Sequence, residues 1–352
     1  MKDLLKTKGF QITFSFVISA IFITWIVLNV DIRDVWERLK TINYWIIVPV
    51  VVLNFIQFMI RAVRWRYLLP KEEKSSRPSL KLLLDSSMLG NFGNFVLPLR
   101  SGEFIRPLML SKCSNVRFPI GLTSVITERF FDLSMVLILF AFMVSFFGEL
   151  PSGIVDGVGK SFAEIRSGLS FVATSFSLLA IALFLFITLG IFLPEKILSL
   201  MNFCLKIVPK KIADIVLKLA KEFLAGTEPL KNIKNLLIVF SLSAIIWGLT
   251  IITYWVAFYM FSDIGSLDLW AALVLTVVLA LGVATPSAPG FVGVFEISCI
   301  VAFALVCESK EMATTYAIVT HTFQYVLVIS YGLYVLFSYG LHLGDLKKGN
   351  KD

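Results

Sequence analysis

Residues 90–112, GNFGNFVLPLRSGEFIRPLMLSK, decide the fold because they are too polar for an ordinary membrane span and too apolar for an ordinary loop. Glycines and prolines interrupt any continuous helix here, and arginine, glutamate and asparagine alternate with large apolar side chains. Such irregular backbone is tolerated at membrane depth only where it is buried in protein or lines a water-filled cavity. Intramembrane charges then become candidates for function. The alternative interpretation is a cytosolic loop between two spans.

The break in this stretch occurs twice in the chain. Pro98–Gly102 (PLRSG) recurs as Pro286–Gly290 (PSAPG), and each copy is preceded by a glycine-containing apolar segment. A glutamate, Glu103 or Glu296, then opens the next helical segment. Two interrupted apolar segments in corresponding halves are the best sequence indication of a transporter's binding site. We therefore expect the two breaks to approach each other around one shared polar cavity.

Composition places the chain among polytopic membrane proteins. Hydrophobic residues make up 57% of it and charged residues only 16%, with a mean hydropathy of +0.85. No polar segment is long enough for a separate soluble domain, so we predict one integral membrane domain over residues 1–352. The net charge of +8 concentrates in loops and indicates topology rather than a nucleic-acid partner. The four cysteines, two histidines and missing nucleotide motifs predict no metal, no cofactor and no ATP site.

Hydropathy predicts an all-α protein with about six full spans and two interrupted segments. The predicted spans are residues 10–30, 44–60, 118–147, 169–193, 236–261 and 312–339. The interrupted segments are 90–112 and 282–297, the second set between apolar stretches 269–283 and 291–306. They divide the chain into half-repeats 44–147 and 236–340. A lysine-rich segment, 194–235, lies between them, and its part 209–223 has the pattern of an amphipathic surface helix.

Loop charge predicts the topology, because cytoplasmic loops carry the excess of lysine and arginine. Both termini and residues 61–81 and 194–235 are basic, whereas 31–43, 148–169, 262–268 and 308–311 are not. Six spans fit these assignments only if each interrupted segment leaves and re-enters the membrane on the same side. The result is a pseudo-inverted repeat with two re-entrant helical hairpins. Two full spans in place of each hairpin would satisfy the same charges and remain the alternative.

Polar side chains within these apolar segments are the candidate site. The set consists of Asn94, Arg100, Glu103, Arg106, Glu128, Arg129, Asp132, Pro286, Gly290, Glu296 and His321. Arg100 and Arg106 match a phosphate, which guanidinium groups bind through two oxygens. Glu103 and Glu128 then orient the arginines or carry a coupling proton. The backbone amides freed at each break would add a further anion site. A purely structural cluster of ion pairs satisfies the same charges and is the competing interpretation.

Three features have a simpler structural explanation beside the functional one. Glu296 can cap the helix that follows Gly293, and a single histidine such as His321 is more often a satisfied core residue than a switch. The run Arg61–Arg66, with Trp65, is typical of a positive-inside anchor with an aromatic ring at the lipid interface.

These motifs resemble a known family. Residues 94–106 are similar to the N-x-x-x-P-x-R-x-G-E-x-x-R signature of the lysylphosphatidylglycerol synthase transmembrane, or flippase-like, family. Residues 127–132 (TERFFD) and 285–296 (TPSAPGFVGVFE) resemble its following elements. The resemblance implies a prokaryotic cytoplasmic (inner) membrane domain that translocates lipids. In multiple-peptide-resistance proteins that domain is fused to a cytosolic aminoacyl-tRNA-dependent transferase. We expect this chain to lack that transferase domain, and it has His321 where the family usually has arginine.

With this resemblance, we expect a multi-pass carrier with both termini in the cytoplasm. Its substrate would be an anionic or glycosylated phospholipid, or a polyprenyl-phosphate-linked lipid, moved between leaflets. One alternative is a membrane enzyme of the phosphatidylglycerol lysyltransferase type. Another is a non-transporting partner of a separate cytosolic transferase, which would dock on residues 194–235.

The topology is tested by labelling single introduced cysteines from each side of the membrane. We expect residues 61–81 and 194–235 to react only from the cytoplasmic side, and 148–169 and 262–268 only from outside, because of the loop charges. Labelling of 194–235 from the exterior would remove the basis for an inverted repeat.

Overall fold

The computed structural model describes residues 17, 19–70, 77–97, 100–146, 178, 182, 185, 188–205, 209–285, 287–306 and 309–341. These residues form helices joined by short turns, and no strand occurs among them. In chain order the helices are α1 (Ser19–Asn29), α2 (Ile32–Lys40), α3 (Ile47–Leu68), α4 (Leu80–Val96), α5 (Gly102–Cys113), α6 (Phe118–Phe146), α7 (Pro194–Cys204), α8 (Lys210–Gly226), α9 (Ile233–Phe258), α10 (Leu269–Val283), α11 (Val294–Ala304) and α12 (Lys310–Ser338). The all-α helical prediction is confirmed at this level.

Three segments in the described part of the chain are long and apolar enough to cross a membrane. They are α3 with its preceding turn (Tyr44–Leu68), α9 and α12, with 25, 26 and 29 residues. At 1.5 Å per residue each exceeds the roughly 30 Å of a bilayer's hydrocarbon core. Helix α3 continues beyond Ile60, the predicted end of the second span, to Leu68, and the position of the span's end stays a prediction. Helix α6 is also 29 residues long, but it carries Glu128, Arg129 and Asp132.

The two interrupted segments form pairs of short helices. Helices α4 and α5 have 17 and 12 residues, and α10 and α11 have 15 and 11. All four are shorter than the roughly 20 residues that a span needs. Pro98, Leu99 and Pro286 lie outside the described residues. The number of full spans and the re-entrant course of each pair stay predictions.

The chain divides into two compact units. The first contains residues 1–66, 78–122 and 245–352, and the second contains 67–77 and 123–244. Helices α3, α6 and α9 each contribute to both units. Both interrupted segments therefore belong to the first unit. The half-repeats 44–147 and 236–340 and the single integral domain stay predictions.

The first unit is built around α4 and α12. Helix α4 packs against α5, against α12 and against the turn Pro289–Phe291, while α11 packs against both α10 and α12. A continuous apolar core joins α9, α10, α11 and α12, with Phe258, Phe303 and Tyr316 fully buried in it. Most residues of α4, α5, α10 and α11 are buried, so the interrupted helices are enclosed mainly by protein.

Glycines bring α4 and α5 into direct backbone contact. A Cβ atom at Gly90 would lie 2.9 Å from the Gly102 carbonyl oxygen, and one at Gly102 would collide with the Gly90 carbonyl oxygen. Small residues at helix contacts are the usual way for membrane helices to approach closely, because lipid supplies no hydrophobic driving force between them.

The second unit holds the amphipathic helix predicted within residues 194–235. Helix α8 leaves Asp214 and Lys221 exposed, while Val216, Phe223 and Leu224 are half-buried. Phe223 packs against Phe130 of α6 with ring centroids 5.9 Å apart. Nearby, a Cβ atom at Gly226 would collide with Thr123. The predicted helix is confirmed, and it packs against the charged half of α6. The cytoplasmic placement of this segment stays a prediction.

Replacing Gly102 by alanine tests the contact between α4 and α5. Because its new methyl group meets backbone rather than a movable side chain, Gly102→Ala should destabilise the protein by about 1–3 kcal/mol. Thermal unfolding of the purified protein in detergent measures the change. Gly248→Ala in α9 is the matched control, since no neighbouring atom lies within 4 Å of its Cβ position. That variant should be stabilised by about 0.5–1 kcal/mol. Equal unfolding temperatures for the two variants would contradict the close packing.

Candidate functional site

The second break is a tight left-handed turn between α10 and α11. Gly290, Phe291 and Gly293 have φ angles of +70°, +63° and +83°. Only glycine adopts this region without cost, so Phe291 stores strain of about 1–2 kcal/mol. Gly290 is required twice, because a Cβ atom there would also collide with the Tyr325 hydroxyl. The turn is thus fixed by its sequence and by the helix packed against it.

His321 ties this turn to α11. Its Nδ1 lies 2.7 Å from Glu296 Oε1, and its Nε2 lies 2.8 Å from the Gly290 carbonyl oxygen. The other carboxylate oxygen of Glu296 accepts a hydrogen bond from the Gly293 N–H at 2.6 Å. Glu296 therefore caps α11 and holds His321 at once. The structural explanation of Glu296 as a cap is correct, although it is incomplete.

Aromatic rings enclose the His321 side chain, which is only 3% exposed. Phe295 stacks on the imidazole with centroids 4.3 Å apart, and Tyr325 and Phe95 lie 5.1 and 6.3 Å away. The Tyr325 hydroxyl donates to the Pro289 carbonyl at 3.2 Å. On the other side of the turn, the Ala288 N–H donates to Ser19 Oγ at 3.0 Å. Every described polar group of the turn named here is met by a side chain.

The first break is held by Asn94. Its Oδ1 accepts the Gly102 N–H at 2.9 Å, across the gap that contains Arg100. The next amides of α5 donate to nearby carbonyls, Glu103 to Arg100 and both Phe104 and Ile105 to Ser101. The expectation that this break exposes amides to an anion is therefore wrong, because its first-turn donors are used internally.

The two breaks meet, as the repeat predicts. The Arg100 guanidinium carbon lies 5.4 Å from the centroid of the Phe291 ring. Phe291 also packs edge-on against Phe95 of α4, with centroids 5.9 Å apart. Arg100 itself has a φ of +50°. Two strained residues, one from each break, are thus stacked on each other.

Arg106 lies deeper in the first unit. Its guanidinium carbon is 4.0 Å from the centroid of the Trp65 ring, and its side chain is 6% exposed. Trp65 and the neighbouring Arg64 are fully buried, each 0% exposed. The interpretation of this pair as a lipid-interface anchor is therefore wrong. Instead, Trp65 is buried under Arg106, and Arg64 is buried beside it in the chain.

The predicted charges of α6 pair with one another in the second unit. Arg129 Nη2 lies 3.0 Å from Glu128 Oε1 and 3.3 Å from Asp132 Oδ2. Glu128 is fully buried, whereas the Arg129 side chain is 46% exposed. The ten described candidates thus fall into two groups. The first unit holds Asn94, Arg100, Glu103, Arg106, Gly290, Glu296 and His321, and the second holds Glu128, Arg129 and Asp132.

Asp85 is a buried residue that the sequence analysis missed. It is 0% exposed and accepts hydrogen bonds from the hydroxyls of Tyr331 and Tyr339, each at 2.9 Å. The available signal was its position as the single acid in the apolar run Leu80–Val96.

A second missed group links α3 and α9. Gln57 Nε2 donates to Thr253 Oγ1, and Thr250 Oγ1 donates to Gln57 Oε1, both at 2.9 Å. Such bonds between apolar helices add roughly 0.6 kcal/mol each. Among the residues that the structure describes, no three His, Cys, Asp or Glu side chains are grouped to hold a metal ion.

Comparisons with known proteins agree with the membrane architecture. Residues 12–332 match the family described as lysylphosphatidylglycerol synthase TM region. A curated relative named glycosyltransferase AglD, from Haloferax volcanii, is 24% identical over 162 residues, which cover 46% of this chain and 25% of that protein. No solved structure matches the chain significantly. Because the family match covers most of the sequence, the chain belongs to the lysylphosphatidylglycerol synthase transmembrane-region family.

Proposed function

We propose that this protein moves a lipid with an anionic headgroup between membrane leaflets. Family membership and the apolar helices place it among membrane proteins related to lipids. The candidate substrates are an anionic phospholipid and a polyprenyl-phosphate-linked lipid, which share a phosphate group. The inner membrane and cytoplasmic termini belong to this proposal.

The observation that carries the proposal is the arginine pair near the first break. Arg106 is almost fully buried on the Trp65 ring, and Arg100 lies over Phe291 at the meeting point of the breaks. A buried cation within apolar helices, as Arg106 is, is expensive and usually marks a pathway for an ion or a substrate. Arg100 is exposed. The planar guanidinium group matches a phosphate, which it binds through two oxygens.

The hydrogen bonds of the α5 amides limit which groups could bind the headgroup. Because Asn94, Arg100 and Ser101 already accept the first amides of α5, headgroup binding falls to the guanidinium groups rather than to a helix N-terminus. Glu103 is half-buried beside the break and is the carboxylate in the first unit that would orient them. The ion-paired cluster of Glu128, Arg129 and Asp132 has a structural role in this proposal.

A second candidate function is a membrane part that serves a transferase. The relative named a glycosyltransferase shares only a quarter of its own length with this chain. The shared region would then hold or deliver a lipid for chemistry on another domain or another protein. A lysyltransferase or glycosyltransferase activity in this chain itself would require a residue that acts as a general base. In the described site, the His321–Glu296 pair is the candidate for that role.

Lipid movement in proteoliposomes tests the leading proposal. The assay follows a fluorescent phosphatidylglycerol analogue, with phosphatidylcholine as the zwitterionic comparison. Arg106→Lys keeps the charge but loses the planar fork, so we expect at least a tenfold slower transport of the anionic lipid. Arg33→Ala, at an exposed arginine of α2, is the control and should transport normally. A monodisperse Arg106→Lys protein with wild-type transport would contradict the headgroup role.

Arg100 allows a test that separates charge from backbone. Its left-handed φ angle means that Arg100→Gly removes both the guanidinium and the strain, which should raise stability by about 1 kcal/mol. We expect the same variant to lose transport of the anionic lipid. A stable Arg100→Gly protein that still transports would show that Arg100 supports only the turn.

A further inference from the structure

Both ring nitrogens of His321 contact oxygen atoms that accept hydrogen bonds, so the pair of His321 and Glu296 needs one proton more than a neutral imidazole and a carboxylate carry. We propose that Glu296 and His321 together bind one exchangeable proton, and that this proton holds the second break in place. The proposal adds a proton site to the proposed transport function, on which its role in coupling rests. The proton site itself is a property of the folded protein and is testable without any transport.

Counting donors and acceptors leads to this conclusion. The Gly290 carbonyl oxygen can only accept, so the 2.8 Å contact requires a hydrogen on His321 Nε2. The 2.7 Å contact between Nδ1 and Glu296 Oε1 then requires a second hydrogen between those atoms. It belongs either to an imidazolium facing a carboxylate or to a protonated carboxyl facing a neutral ring. Both descriptions contain the same number of protons.

Removing that second proton breaks one of the two contacts. If the ring keeps its hydrogen on Nε2, the bare Nδ1 faces a carboxylate oxygen. If the hydrogen moves to Nδ1, the bare Nε2 faces the Gly290 carbonyl oxygen. At 2.7 and 2.8 Å, two lone pairs repel each other. Proton release must therefore move either Glu296 or the turn at Gly290 away from the ring.

The surroundings leave few other groups to compensate. Cys299 lies one turn after Glu296 on α11, and Tyr325 lies one turn after His321 on α12; both interact electrostatically with Glu296. From α4 the ring meets the apolar Phe95, and from the turn it meets the Gly290 carbonyl. Arg100, stacked on Phe291, is the cation of the neighbouring break. Phe295 covers one face of the imidazole.

Phe291 connects Gly290 to Arg100 of the proposed headgroup site, so a movement at Gly290 is passed on to Arg100. Phe291 follows Gly290 directly, has a left-handed φ angle, and carries the guanidinium of Arg100 on its ring. A shift of the turn therefore shifts the surface on which Arg100 rests. Because coupling between two binding events is reciprocal, an anionic headgroup on Arg100 would in turn alter proton affinity at His321.

Nitrogen-15 NMR of histidine-labelled protein tests the proton site directly. The sequence contains only His321 and His342, so a His342→Gln variant leaves a single imidazole to observe. Between about pH 5 and about pH 9, which brackets the free imidazole value, one ring nitrogen of His321 should change from hydrogen-bonded to bare. Glu296→Gln is the matched variant, because its amide donates to Nδ1 without a titrating proton. We expect no such change in that variant.

Two results would overturn the proposal. One is a His321 signal that does not change over this range in the wild type. The other is the same change in Glu296→Gln, which would show that the carboxyl group does not share the proton. Glu37→Gln, which removes an exposed carboxylate paired with Lys40, controls for the lost charge and should leave the titration intact.

The transport assay then tests coupling separately. His321→Arg replaces the titrating ring by a permanent cation that can still face Glu296. We expect wild-type transport to vary at least threefold with pH over this range, and both His321→Arg and Glu296→Gln to be pH-independent. A titrating His321 with pH-independent wild-type transport would overturn the coupling. Absence of any transport would contradict the proposed function and leave the NMR result to decide the proton site.

Discussion

Satisfying the backbone of an interrupted helix inside apolar surroundings is the constraint on which this structure depends. An unpaired N–H or carbonyl group there costs several kcal/mol. The first break meets the constraint with the Asn94 side chain. The second meets it with Ser19, Glu296 and His321, which bond to Ala288, Gly293 and Gly290. Several polar residues that resemble a ligand site in the sequence therefore form hydrogen bonds to the backbone at the breaks.

This task separates the two kinds of polar residue at the breaks. The side-chain oxygens of Asn94 and Glu296 accept hydrogen bonds from backbone amides, so these two residues shape the turns. Arg100 and Arg106 lie over aromatic rings. A guanidinium group matches the oxygens of a phosphate, which an asparagine or a glutamate does not. For this reason we propose that the arginines recognise a headgroup and that the other residues set the geometry of the breaks.

Local features of the fold were predictable from the sequence, because they depend on neighbouring residues. Apolar run lengths gave the long helices, and glycine with proline gave the position of both breaks. Contacts between distant residues were not predictable in the same way. The burial of Trp65 depends on Arg106, and the role of Asp85 depends on tyrosines at the far end of α12. A charge pattern indicates that such residues need partners, but it does not say which partners.

The same distinction explains why the repeat predicted the meeting of the breaks but not its chemistry. Symmetry in the sequence indicates that Pro98–Gly102 and Pro286–Gly290 occupy related places, yet the side chains around them differ. The first break has a neutral asparagine as its support, and the second has a histidine and a glutamate. Of these three side chains, only the histidine and the glutamate are titratable. If the breaks move against each other, the protonatable one is the natural place for an ion to influence that motion. The arginines that we propose bind a phosphate come from the other. Because different side chains support the two related turns, the first break would bind the lipid headgroup and the second would bind the proton.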